Sequence, residues 1–401
     1  MDDFSTLQQI AVQARRNLNW NVWDYLMGGS ETETSLKRNR QGFDSLALAP
    51  RILRNVANVD PAITFLDKQI RLPVMLAPIG SLQLVTPDGG LASAQAAAEV
   101  GTISFLSSVT QPEMEDVGGS TNTPKVFQLY VKGDDKWIDE QVKRAQDAGF
   151  EIFCLTVDTA LYSRRERDII KGWEPSSRRA VVEGKNQDYL AMLDWDTVKR
   201  FKDRHDIPLI LKGIGTAEDA SVALEHDVEC VYVSNHGGRQ LDHGRGSIEV
   251  LPEVVEAVRG KASILVDGGI MRGTDVIKAI ALGADAVCIG KLQGLGLAAG
   301  GKDGLVHTLR LLEEEIRTSM ALLGLHNFSE LDASFVEEVE PLMPPHQTSP
   351  YTHIELKERE YERWAISRRM TAQSISGIRR WVGLVTSQQK CYGNWELNIF
   401  R

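Results

Sequence analysis

An α/β chain closed into a (β/α)8 barrel is predicted by three observations. Eight short, β-rich apolar runs alternate with helix-length segments. The alternation repeats within about 250 residues, the span of such a barrel. Nearly every run ends in side chains able to bond a ligand, and the carboxyl ends of barrel strands meet at one mouth.

The runs are VMLAPI from Val74, ISFLSS from Ile103, VFQLYV from Val126, IFCLTVD from Ile152, LILKGI from Leu209, VYVSNH from Val231, ILVDGG from Ile264 and AVCIGK from Ala286. Short apolar runs bounded by Gly and polar residues are typical of buried parallel strands. Between them lie helical segments such as DGGLASAQAAAEVG, KWIDEQVKRAQDAG, TAEDASVALEHD, EVLPEVVEAVRG and RGTDVIKAIALGA. A doubly wound open sheet is the competing arrangement. Residues 1–70 read as a mainly helical segment laid over the barrel, residues 71–325 as the barrel, and residues 326–401 as a C-terminal arm or tail. Between Arg165 and Trp195 a polar, Pro- and Gly-containing stretch reads as a loop over the mouth.

The formal net charge of -10 argues against a nucleic-acid surface, which needs clustered Lys and Arg. The opening MDDFSTLQQIAVQARRNLNW lacks a signal peptide's apolar core, and no run is long enough to span a bilayer. These features place the chain in the cytosol. Cys154, Cys230 and Cys288 lie in apolar runs and, with Cys391, show no metal-type spacing, so they read as reduced thiols. Residues 351–401 carry nine Lys or Arg against five Asp or Glu, and aromatics accompany the charge. That segment reads as an arm wrapping onto an acidic neighbouring subunit of a homo-oligomer.

Chemistry concentrates where the strand before Asp242 stops, in CVYVSNHGGRQLD. His236 exchanges a proton near neutral pH, and Arg239 offers a planar fork matching a carboxylate. Gly237 and Gly238 let the backbone turn between them. The pair points to proton abstraction beside an anion, with a capping histidine and a surface arginine as the plain alternative. Further strand ends supply Ser107, Ser108, Gln128, Tyr130, Thr156, Asp158, Lys212, Ser234, Asp267, Gly290 and Lys291. In VDGGIMRG and CIGKLQG, glycines precede a helix whose free N–H groups and dipole favour a phosphate. A phosphate-bearing cofactor follows.

SNHGGRQLD, with these strand ends, resembles the FMN-dependent 2-hydroxy-acid oxidase and dehydrogenase family, which includes glycolate oxidase, lactate oxidase, lactate monooxygenase, mandelate dehydrogenase and flavocytochrome b2. The similarity covers roughly residues 20 to 325, a (β/α)8 TIM barrel. It implies FMN as cofactor and a small 2-hydroxy acid as substrate, with oxygen or an electron carrier as acceptor and a tetramer or octamer as assembly. By resemblance, His236 is the catalytic base and Asp158, in TVDT, stabilises its protonated form. Arg165, in SRRE, and Arg239 clamp the substrate carboxylate with help from Tyr25. Tyr130, in FQLY, meets the substrate hydroxyl, and Lys212, in ILKG, lies at the flavin's pyrimidine edge. Flavin contacts carried over in the same way run from Ala77 through Pro78 and Ile79 to Gly80, then Ser107, Gln128, Thr156, Lys212 and Ser234. Asp267, Gly269, Gly290 and Lys291 receive the ribityl chain and phosphate.

Three departures stand out. Met271 replaces a phosphate-binding arginine, with Arg272 as a substitute, and Gly290–Lys291 replaces Gly-Arg. Val109 stands where members carry an aromatic, which widens the pocket for a bulky substrate. Gly80 occupies a position where members that differ in oxygen use carry Gly or Ala. The loop after Arg165 reads as shortened, giving a more open mouth. An FMN barrel isomerase and a non-catalytic flavin-binding or scaffold relative are the alternative functions.

Overall fold

The computed structural model describes residues 4–352 of the chain. Of these, all up to Tyr351 belong to one compact unit. The basic aromatic segment read as a subunit arm lies, beyond Thr352, outside the described residues.

Three helices open the chain: α1 (Leu7–Asn17), α2 (Trp20–Met27) and α3 (Thr34–Asp44). The Thr6 hydroxyl accepts from Gln9 N while Gln9 reaches back to the Thr6 amide, a capping box that starts α1. The Asn19 side chain accepts from the amides of Asn21 and Val22 and starts α2. Strand β1 (Leu46–Leu48) follows, then an antiparallel hairpin of β2 (Ile63–Phe65) and β3 (Lys68–Ile70). The hairpin is the non-helical end of the mainly helical residues 1–70. Phe65 and Ile70 are buried in the barrel core, so the pair closes one end of the barrel.

The barrel strands are β4 (Val74–Leu76), β5 (Ser104–Ser107), β6 (Lys125–Leu129), β7 (Ile152–Thr156), β8 (Leu209–Ile214), β9 (Cys230–Val233), β10 (Ser263–Val266) and β11 (Ala286–Ile289). All pair in parallel, and β11 pairs with β4 to close the ring. Each of the eight apolar runs contains one strand. Inside the ring pack Met75, Ile103, Phe105, Val126, Ile152 and Ile210, with Cys154, Cys230 and Cys288 as buried free thiols.

On the outside run α4 (Gly89–Val100), α5 (Met114–Gly118) and α6 (Asp135–Asp147). After β7 come α7 (Glu166–Ile170), α8 (Ser176–Val182) and α9 (Asn186–Ala191), then α10 (Trp195–Arg204). The stretch read as a loop is thus three short helices. The ring continues with α11 (Ala217–Glu225), α12 (Ser247–Val258) and α13 (Gly273–Ala281), and closes with α14 (Lys291–Leu323). The helical path of α14 breaks at Gly300 and Gly301, the latter at φ 60°. Finally β12 (Val336–Glu338) pairs with β1. No described helix is long and apolar enough to cross a membrane.

Candidate active site

One cavity, of about 1110 Å³ including its opening to solvent, occupies the carboxyl end of the barrel. Register explains why. Parallel pairing sets Ser107 beside Gln128 and Thr156 beside Lys212, so the last residues of neighbouring strands end at one level. Beyond β9 the chain leaves extended geometry: His236, Gly237 and Gly238 all take positive φ, at 59°, 64° and 73°. A Cβ on Gly238 would lie 2.4 Å from Leu36 N, so only glycine lets this turn meet α3. His236 takes the same left-handed geometry despite its Cβ.

His236 bridges two partners. Its Nδ1 lies 2.9 Å from Asp158 Oδ1 and its Nε2 lies 3.1 Å from the Tyr130 hydroxyl. An ionised carboxylate only accepts, so Nδ1 carries the hydrogen and Nε2 holds the lone pair. Burial works against ionisation of Asp158, yet the charges of His236 and Lys212 hold its carboxyl down to about 2. Burial lowers the His236 pKa, and Asp158 opposes this only in part, so the imidazole is neutral at pH 7. Burial and the nearby Asp158 charge raise Tyr130 well above its ordinary value, keeping its hydroxyl protonated. At the end of β8, Gly213 has φ 118°, and a Cβ there would lie 2.6 Å from Asp158 Cβ. This glycine makes room for the carboxylate.

Lys212 sits on the cavity floor. Its Nζ donates to Ser234 Oγ at 3.1 Å and lies 3.8 Å from Asp267 Oδ2. Burial lowers its pKa, but Asp267 and Asp158 outweigh that and leave it raised, a permanent cation. Asp267 also accepts from Tyr232 OH at 3.0 Å and Ser234 Oγ at 2.7 Å. Gln128 Nε2 donates to Thr156 Oγ1, while Gln128 Oε1 is buried without a partner.

Two arginines face the same space. Arg165, at the start of α7, lies 4.3 Å over the Tyr162 ring, and its buried Nε has no partner. Arg239 donates from Nη1 to the carbonyls of Tyr25 and Gly28 and lies 4.9 Å over the Tyr25 ring. Burial and the neighbouring Arg165 charge lower the Arg239 pKa. Tyr25 OH donates to Gly80 O at 2.8 Å and lies 3.0 Å from Ser177 Oγ on α8. Ser177 N in turn donates to Ser81 Oγ at 2.8 Å. The mouth is therefore roofed by α8, a correction to the open mouth expected from a shortened loop.

Of the expected residues, Tyr25, Ala77, Pro78, Ile79, Gly80, Val109, Tyr130, Arg165, Lys212, His236, Arg239, Asp267, Gly269, Gly290 and Lys291 line this cavity. Ser107, Gln128, Thr156, Ser234 and Asp158 do not form its wall; they stand behind it, bonded to one another or to lining residues. Arg272 does not reach it. It pairs with Glu315, at 2.8 Å, because as the residue capping α13 it turns outward toward α14. Tyr162, Ser177, Val181, Arg40 and Gln347 line the cavity without having been expected. Only Tyr162 had a signal in the sequence, an aromatic three residues before Arg165.

At the far end the two helix starts differ. The amides of Met271 and Arg272 at the head of α13 already donate to Asp275 Oδ2, at 2.9 and 3.0 Å. Helix α14 begins after Gly290 with no side-chain cap, beside the cavity. Its open amides and Lys291 suit an anion.

The FMN-dependent dehydrogenase family model matches residues 14–338. The chain belongs to this family. The 2-hydroxyacid oxidase of Dictyostelium discoideum is 37% identical over 352 residues, 84% of this chain and 91% of that protein. The L-lactate oxidase of Nostoc is also 37% identical, over 80% of this chain and 95% of its own length. A crystal structure of mandelate oxidase with (S)-2-phenylpropionate superposes with a TM-score of 0.78 at 36% identity, over 85% of this chain and all of that one. As an FMN-dependent dehydrogenase the chain is an oxidoreductase that uses FMN to oxidise a 2-hydroxy acid. The cavity fits that cofactor. Just behind the wall Gln128 Oε1 is a buried acceptor without a partner, Lys212 would supply a fixed cation, and the uncapped start of α14 beside the cavity would suit a phosphate.

Proposed function

We propose that the substrate is an L-2-hydroxy acid with a medium or bulky side chain, converted to the 2-oxo acid, with oxygen or an electron carrier as final acceptor. The observation that carries this reading is the pair of buried guanidinium groups, Arg165 and Arg239, held in the same cavity as the His236–Tyr130 pair. Two buried cations without a carboxylate partner call for an anion, and a forked donor binds a carboxylate through two parallel bonds.

With the carboxylate on Arg165 and Arg239, the α-hydroxyl falls to Tyr130 OH and His236 Nε2. His236 Nε2 accepts the proton, and Asp158, already ionised, balances the imidazolium that results. Lys212 lines the same cavity, where its fixed charge offsets negative charge as it develops. Bound FMN supplies the acceptor for the electron pair that leaves the substrate's α-carbon. Gly80, Val109 and the α8 residues Ser177 and Val181 share the cavity wall. Val109 in place of an aromatic leaves volume for a side chain beyond the α-carbon, as the similarity to mandelate oxidase also supports. Among the described residues, three buried free thiols are compatible with a reducing cytosol.

The test is an anaerobic titration of the FMN-loaded protein with glycolate, lactate and mandelate, followed in the visible spectrum. Bleaching by the larger acids at lower concentration supports the reading, and readmitted oxygen then reports the acceptor. His236→Ala retains FMN and loses bleaching. Bound flavin that no hydroxy acid bleaches would transfer the chain to the isomerase class.

A further inference from the structure

The phosphate end of the cavity lacks an arginine. Met271, 3% exposed, brings an apolar side chain to the wall there. Arg40 cannot stand in: its guanidinium is spent on Asp275, Asp44 and Gly269 O. Arg272 is spent on Glu315. Lys291 remains, a point charge whose Nζ donates to Gly237 O at 3.2 Å.

A second element reaches this place from beyond the barrel. The strap that follows β12 is pinned at three points. Ser349 Oγ donates to Asp44 Oδ2, Tyr351 OH donates to Met271 O, each at 3.1 Å, and Arg272 Nη1 donates to Pro350 O at 3.4 Å. Just before these anchors, Gln347 turns its side chain into the wall that Met271 and Gly269 also line. Gln347 is 7% exposed and its Oε1 has no partner. A buried amide atom without a bond is uncommon and points to a missing ligand, and a half-turn about the terminal torsion puts the donor Nε2 in the place of Oε1.

We propose that Gln347 is a cofactor-binding residue, its amide turned so that Nε2 donates to the phosphate of FMN where the arginine absent at position 271 would have reached. This rests on the phosphate lying at the open start of α14. The cofactor site of this chain is then completed by the C-terminal strap, and Tyr351 is a positioning residue that holds the strap to Met271.

The test titrates apoprotein with FMN and, separately, with riboflavin, which lacks the phosphate, and reads quenching of flavin fluorescence. Gln347→Ala should weaken FMN about tenfold, the value of one hydrogen bond to a charged group, and leave riboflavin within about twofold. Gln347→Glu keeps the size but sets a carboxylate against the phosphate, so it should weaken FMN more than alanine does. Equal losses for both flavins, or FMN affinity unchanged in both variants, would overturn the assignment. Wild-type protein that binds riboflavin as tightly as FMN would overturn instead the placement of the phosphate.

Discussion

Replacing Asp158 with asparagine tests the proton-accepting pair most directly, because the substitution keeps shape and removes only charge. In the folded protein the carboxyl is held at about 2 against an ordinary 3.8. At about 1.36 kcal/mol for each tenfold, that difference is on the order of 2 kcal/mol. His236 and Lys212 share it. Both members of the His236–Asp158 pair are largely buried, with side chains 15% and 12% exposed, so solvent screens the interaction little. Losing His236's share, on the order of 1 kcal/mol, removes roughly fivefold from the rate of flavin bleaching by a 2-hydroxy acid in anaerobic stopped flow. The pH profile carries a second signature. The neutral imidazole is the active form, so the rate rises with pH through the His236 pKa, which burial already lowers. Without Asp158 to raise it, that pKa falls further, and the rising limb moves to lower pH while the plateau drops. General damage to the fold would lower the plateau and leave the limb in place. A fall of under threefold, or a limb that stays put, would refute the role given to Asp158.

Arg239→Lys should raise KM for the hydroxy acid more than it lowers kcat, since a point charge replaces a fork; steady-state kinetics with both parameters unchanged would remove Arg239 from the carboxylate site. Gly80→Ala should penalise bulky acids more than glycolate, because the new Cβ would lie 2.9 Å from Val109 Cγ2 and from Ser177 Cβ. The ratio of kcat/KM for mandelate and glycolate reads this, and an unchanged ratio would place the substrate side chain elsewhere. Burial, with the charges of Arg239 and Arg165, lowers Lys291 to about 7 against the pull of Glu33 and Asp267. A phosphate needs the protonated amine, so FMN affinity of the apoprotein should weaken from pH 7 to 9, and Lys291→Met should abolish that decline; equal slopes would exclude Lys291 from the phosphate. Truncation after Thr352 should reduce the sedimentation coefficient beyond the lost mass if the basic tail joins subunits, and an unchanged assembly would reject that role.

Sequence alone determined the barrel and most of its mouth. Parallel strands buried on both faces must be continuous apolar runs, and their polar ends must gather at one rim, so eight runs ending in Ser, Gln, Thr, Lys, His and Asp were legible as a site. His236, Arg239 and their glycines were legible for the same reason: backbone turns of positive φ are written in residue type. The substitution at Met271 was also visible. What replaces an arginine was not, because that depends on which distant side chain folds into the gap. Arg40 is 231 residues from Met271 in the chain, and only packing shows it committed to Asp275. Arg272 is adjacent in sequence, yet it turns away because helix geometry points it at Glu315. The hairpin at residues 63–70 and the roof of α7–α9 are short elements whose patterns are too brief to show periodicity. Gln347 lies in a Pro-rich stretch without periodicity, and only the three anchors of the strap bring it to the cavity.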